Sequence, residues 1–268
     1  MFRRTSSWAL AWTLLLGPVA SAQGFDYSRF DRLLQQHVRA GLVDYDAFGA
    51  SADFEEYLRA IAAFDPATLP RDGQLAFWIN AYNAYTIKLI VKHGERHSIR
   101  NINKKLGLFK GGGPWAERLV VVGGKTVDLE TVEQGIIRPT YKEPRIHFAL
   151  VCASLGCPRL RSEAYTGPQL ERQLEEQARI FLRESPTSNR VDLAQRTVYL
   201  SELFTFNDYL EDFGGSPAAL MRFVGRYYPA GPERDLLESG TARLVYTDYD
   251  WTLNSQELAR HWTGAAAR

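Results

Sequence analysis

Residues 74–92 read QLAFWINAYNAYTIKLIVK, and everything else in the chain is best read outward from them. At helical spacing, Leu75, Phe77, Trp78, Ile79, Tyr82, Tyr85, Ile87, Leu89 and Ile90 leave no polar face. A surface helix shows one apolar stripe, whereas a helix that is apolar all round belongs inside a molecule. The stretch therefore predicts one central buried helix with the other elements packed around it. Asn80 and Asn83 interrupt the apolar run three residues apart, on one side of the helix and a turn from each other. Buried amides need partners. The pair either holds the backbone of a neighbouring loop or faces a ligand, for instance as an oxyanion stabiliser.

Upstream, Phe30, Leu33, Leu34, His37 and Val38 predict a helix over 25–41 that Gly41 stops. Residues 42–48 read as an extended link. Phe54, Tyr57, Leu58, Ile61 and Ala62 predict an amphipathic helix over 53–64, ended by Pro66 and Pro70. Downstream, 93–118 is a basic, Gly-rich loop with Lys104, Lys105, Lys110 and Gly111-Gly112-Gly113. It matches no phosphate-loop pattern. Residues 119–127 read as a hairpin turning at Gly123-Gly124, and Asp128 as the cap of a helix that Pro139 ends. RIHFALVC (145–152) is a continuous apolar run and reads as a central strand. A charged helix over 169–183, a hairpin over 191–200, helices over 203–213 and 217–227, and a late strand over 242–249 follow. Helices come first and strands follow without regular alternation. That order predicts an α+β class: a single domain of helices packed on a small, mostly antiparallel sheet.

The N-terminus has its own signature. Arg3 and Arg4 precede the apolar run WALAWTLLL (8–16), then Gly17-Pro18 and Ala20-Ser21-Ala22. This order reads as a secretory signal over 1–22, with 23–268 as the mature domain. The apolar run is shorter than the roughly 20 residues a bilayer span needs. The expectation is an exported protein, periplasmic or secreted, with no stable membrane insertion after signal removal. The 268 residues carry 32 basic and 31 acidic side chains, so no net field draws the chain to nucleic acid. No motif implies a cofactor or a metal.

Chemistry concentrates around His147, Cys152, Ser154 and Cys157. Cys152 and Cys157 are the only cysteines. Three readings stay open for them: a disulfide, buried free thiols, or a reactive pair in which Cys152 is the nucleophile. His147 is the nearest base in sequence, with His93, His97 and His261 as other histidines. Five residues separate 147 from 152, so on a straight strand the two side chains point to opposite faces. Asp248, Asp250, Trp251 and Asn254 form a third cluster, in which two carboxylates two apart share a strand face.

Taken together, AFWINAYNAYT (76–86), VDLETVEQGIIR (127–138), RIHFALVCASLGCPRL (145–160) and the tail YDWTLN (249–254) resemble the family called domain of unknown function 547, over about 30–254. That family occurs in bacterial exported proteins and in plant proteins with an added leucine-zipper segment. The resemblance brings no activity with it. It implies which positions matter: Asn80, Tyr82 and Asn83; Glu133 and Arg138; His147, Cys152, Cys157 and Pro158. In the pattern the resemblance implies, plant members keep a cysteine matching Cys152 but can have other residues at the places of His147 and Cys157. A Cys–His pair beside a helix is also similar to papain-like and transglutaminase-like enzymes. In those enzymes the nucleophile sits at a helix start, where this chain has Asn80. Two functions follow. One is a thiol-dependent hydrolase or acyl transferase using Cys152, His147, Asn80 and Asn83. The other is a non-catalytic module binding a small molecule or peptide among Trp78, Tyr82, Glu133, Arg138, Trp115, Asp250 and Trp251. A redox role for the two cysteines is a further expectation, although their spacing differs from that of thioredoxin-like motifs.

Overall fold

A computed structural model describes residues 24–103, 112–185 and 188–259. The expected signal segment, Lys104, Lys105, Lys110 and His261 lie outside the described residues. The central helix is α4 (Arg71–His93), of 23 residues and closed by Gly94 in the left-handed conformation. It is buried along its length, from Leu75 to Ile90. Of the N-terminal helices, α2 (Tyr45–Ala50) and α3 (Ala52–Ala63) pack on it, and α1 (Ser28–His37) packs in turn on α2 and α3. Ser51 caps α3 by accepting from the Phe54 N–H. The first helix ends earlier than Gly41 suggested. Val38–Arg39 (β1) and Leu42–Val43 (β2) turn over Ala40-Gly41 as a short hairpin, with both turn residues at positive φ. The expected extended link is mostly α2, capped by the Asp44 carboxylate on the Ala47 N–H.

The sheets are small. β3 (Val120–Val122) and β4 (Lys125–Val127) form the expected hairpin. β5 (Arg190–Asp192) and β6 (Thr197–Ser201) pair antiparallel, and β7 (Arg243–Thr247) joins β6 in parallel. With α6 (Leu170–Arg183), α8 (Pro217–Gly225) and α9 (Pro232–Ser239), this is a single-domain α+β fold with mostly antiparallel pairing. α9 was not anticipated from the sequence.

The segment 145–152 is not a strand. Pro144–Phe148 is a 3₁₀ turn, opened by Pro144 and capped by the Glu143 carboxylate on the Arg145 N–H. Its backbone partners are side chains rather than a neighbouring strand. Asn83 donates to the Ala149 carbonyl and accepts from the Val151 N–H, while Gln177 donates to the Phe148 carbonyl. An apolar run predicts burial but does not say which groups will satisfy its backbone. Here amides from α4 and α6 do so. Asp128 caps the next expected helix through the Thr131 N–H, but Thr131–Ile137 winds as a π-helix and Pro139 sits inside the following turn, α5 (Arg138–Tyr141). The expected helix over 203–213 is broken. Its first part, Glu202–Asp208, kinks at Phe206 and Asn207 before α7 (Tyr209–Asp212).

Candidate functional site

A cavity of about 400 Å³ opens between the π-helix, the 145–152 segment and the kink before α7. Cys152, His147, Glu133, Tyr82 and Trp251, all singled out in the sequence, line it. One side of it is aromatic. Trp251 lies 5.6 Å from Phe206 in a stacked pair and 5.9 Å from Trp115 edge-on. Cavities of this size and lining are typical of small-molecule sites.

His147 is 3% exposed. Its Nε2 lies 2.6 Å from Asp212 Oδ2, and its ring lies against Tyr209 with centroids 3.8 Å apart. Arg138 Nε donates to the same Asp212 oxygen at 2.6 Å. Burial opposes charge on Asp212, but the hydrogen bonds and charge of His147 and Arg138 outweigh it, and the carboxyl is brought down from 3.8 to about 2. An ionised Asp212 can only accept, so Nε2 carries a proton and the lone pair of a neutral ring falls on Nδ1. Nδ1 is buried without a hydrogen-bond partner among the described residues, and Glu133 Oε1 stands 3.9 Å away. A carboxylate that orients an imidazole whose other ring nitrogen is unpaired is an arrangement that can hold a general base.

Glu133, 6% exposed, accepts from Tyr82 Oη at 3.3 Å and from Tyr209 Oη. Burial and the charge of Glu133 hold both phenols well above their ordinary value, so they remain donors. The π-helix widens the local turn, as such insertions often do at functional sites. Glu133 and its neighbour Gln134 both line the cavity.

Cys152 and Cys157 are free thiols. Their Sγ atoms lie 2.9 Å apart, against about 2.05 Å in a disulfide. The Cys152 N–H donates to Cys157 Sγ at 2.8 Å, and Tyr249 Oη lies 3.2 Å from Cys152 Sγ. The contact with Cys157, followed by burial, pushes the Cys152 thiol well above its usual value. It is therefore protonated at neutral pH and needs a base to attack anything. The next residue, Ala153, sits at φ 54 while 1% exposed, a costly conformation for a residue with a Cβ.

Several expected site residues lie elsewhere. Asn80 and Asn83, each 1% exposed, do not line the cavity. Asn80 donates to the Tyr165 carbonyl and accepts from the Tyr165 N–H, while Asn83 brackets 149–151 as described above. They hold loops and touch no ligand space, so a direct catalytic role for them is withdrawn. Asn83 fixes the residues just before Cys152, and in that sense positions it. Trp78 packs edge-on against Phe77, away from the cavity. Asp250 is exposed and closes a turn by accepting from the Thr252 N–H. Arg138 acts from behind through Asp212. It also donates to the Asn207 and Asp208 carbonyls, where the backbone is left-handed at both residues. His93 binds Glu117 instead of a thiol. The reading of the sequence missed Asp212, Tyr209, Phe206 and Gln134. Asp212 lies in an ordinary amphipathic stretch, and nothing local marks it.

The fold and the cavity define a single-domain α+β protein with a thiol, an imidazole and carboxylates gathered beneath an aromatic wall. Comparison with protein families narrows this. Residues 66–182 match the family described as "Protein of unknown function, DUF547", and the chain carries a domain of that family. The match runs from just before α4 to the end of α6 and holds Tyr82, Glu133, Gln134, His147, Cys152 and Cys157. Asp212, Tyr249 and Trp251 fall outside it, so it is narrower than the 30–254 resemblance. No curated protein and no solved structure matches the chain.

Proposed function

We propose that the protein is an exported thiol-dependent acyl transferase or hydrolase with Cys152 as nucleophile. The observation that carries the reading is the Asp212–His147 pair: His147 lines the same cavity as Cys152, and its buried Nδ1 has no hydrogen-bond partner among the described residues. His147 takes the Cys152 proton on Nδ1, Asp212 holds the ring and its charge, and Cys152 Sγ attacks the acyl carbon. Because the thiol is held protonated, this is base-assisted attack rather than attack by a standing thiolate. The aromatic wall of Trp115, Phe206 and Trp251 gives the substrate, a small molecule or peptide, an apolar surface to lie on. Export rests on the N-terminal sequence alone; among the described residues no helix is long and apolar enough to cross a membrane.

Reduced protein treated with p-nitrophenyl acetate tests the reading. The expected result is a burst of nitrophenolate with the acetyl group mapped to Cys152 by mass spectrometry, lost in Cys152→Ala. A folded, reduced protein that gives no burst, or that is acetylated elsewhere, contradicts it.

A further inference from the structure

Gln134 stands beside the proposed chemistry with an unused donor. Arg138 Nη1 donates to Gln134 Oε1 at 2.5 Å. A guanidinium has no acceptor, so the amide oxygen must face it and the amide nitrogen must face away. Gln134 Nε2 is buried and has no hydrogen-bond partner among the described residues, although Gln134 lines the same cavity as His147 and Cys152. A buried donor without an acceptor is expensive and rare, and each one calls for an explanation.

Two backbone N–H groups beside the nucleophile are already engaged. Acyl-transfer sites commonly stabilise the developing oxyanion with N–H groups close to the attacking atom. Here the Val151 N–H is taken by Asn83 Oδ1 at 3.0 Å, and the Cys152 N–H by Cys157 Sγ at 2.8 Å. The π-helix carries Gln134 to the cavity next to Glu133, and Arg138, already bound to Asp212, fixes the rotation of its amide. One guanidinium thus orients both the carboxylate behind His147 and the amide.

We infer that Gln134 is a catalytic residue of this site, its Nε2–H donating to the acyl oxygen of an ester, thioester or amide substrate. The inference rests on the thiol reading above. In the step, Cys152 Sγ bonds to the acyl carbon and its proton passes to His147 Nδ1. The carbonyl π pair moves to the oxygen, which Gln134 then stabilises. Collapse re-forms the carbonyl, breaks the bond to the leaving group, and returns the proton from Nδ1 to that group.

Two reagents separate this inference from the reading beneath it. Acetylation of Cys152 by p-nitrophenyl acetate passes through an oxyanion, whereas alkylation by iodoacetamide, a displacement at saturated carbon, does not. Gln134→Leu removes the donor. Gln134→Glu keeps an acceptor for Arg138 and nearly the same shape, so it guards against a variant that misfolds. For both variants, with circular dichroism matching the wild type, acetylation is expected to fall about 10²–10³-fold. Iodoacetamide labelling of Cys152 should stay within about threefold. Acetylation that stays near the wild-type rate in the variants overturns the role of Gln134 and leaves the thiol reading standing. A parallel fall of both reactions also overturns it, since that marks a general disturbance of Cys152. A wild-type protein that is alkylated but never acetylated overturns both.

Discussion

One oxygen of Asp212 receives both Arg138 Nε and His147 Nε2, each at 2.6 Å. That double contact has a measurable consequence for stability. The carboxyl is near 3.8 when unfolded and near 2 when folded, so the folded state favours its ionised form. Its contribution is present above about pH 4 and is lost as the pH falls towards 2. The side chain is partly open to solvent, and screening leaves about 1–2 kcal/mol. Asp212→Asn should lower stability at pH 7 by about that amount and flatten the loss between pH 4 and 2, as read from urea midpoints across that range. An unchanged pH profile would show that the carboxylate is not held in this way. The thiols allow a second prediction. Contact with Cys157 is the first cause of the raised Cys152 value, so Cys157→Ala should bring it down. Each unit of fall gives about tenfold more thiolate, and iodoacetamide labelling of Cys152 at pH 8 should quicken accordingly. Slower or unchanged labelling contradicts the assignment. At this scale Cys152 and His147 were legible as rare residue types in one short segment, and Glu133 and Tyr82 through the motifs that carry the family resemblance. Asp212 and Gln134 were not, because a carboxylate or an amide on a charged helix looks the same whether it faces water or a histidine.

The elements are joined by amides as much as by packing. Asn80, Asn83, Gln173 and Gln177 reach from α4 and α6 to loop backbone that has no strand neighbour. Asn83→Ala leaves the Ala149 carbonyl and the Val151 N–H buried without partners. It should cost about 2–4 kcal/mol in urea unfolding and also slow Cys152 acetylation, since the residues before the thiol lose their clamp. Loss of stability with an unchanged acetylation rate would show that the clamp does not position the sulfur. The tail contributes through its backbone. The Gly156 N–H donates to the Asp250 carbonyl, and a Cβ at 156 would lie 2.7 Å from the Asp250 nitrogen. Gly156→Ala should therefore destabilise the thiol loop by about 1–3 kcal/mol, measured by the same method. A variant as stable as the wild type would mean that the tail yields to the added methyl. The burial of 145–152 could be read from its apolar run, but its conformation could not. Periodicity distinguishes a strand from a long helix and has no sign for a short turn whose hydrogen bonds are supplied by distant side chains.

At the scale of the molecule, the long apolar helix did what its sequence implied. A 23-residue helix buried along most of its length sits inside a shell of the other elements, and the small, mostly antiparallel sheets set the fold apart from a layered α/β architecture. The cavity forms where that shell is made of turns instead of regular elements: the π-helix, the 3₁₀ segment and the kink at 206–208. Its far wall, Phe206, Tyr209 and Trp251, comes from residues distant in sequence, and no local pattern could assemble it. The proposed export concerns the whole chain. In a bacterial host the protein is expected in the exported fraction with Gln23 at its N-terminus, as read by N-terminal sequencing. A cytoplasmic product retaining Met1 would contradict the signal reading.

The proposed chemistry depends most on His147 acting on Cys152. The direct measurement is the pH–rate profile of Cys152 acetylation by p-nitrophenyl acetate in reduced wild-type protein and in His147→Ala, with folding checked by circular dichroism. The expected result is a fall of about 10²–10⁴-fold at neutral pH, with rate returning only as the pH rises towards the raised thiol value. Matching rates and profiles in the two proteins would contradict it.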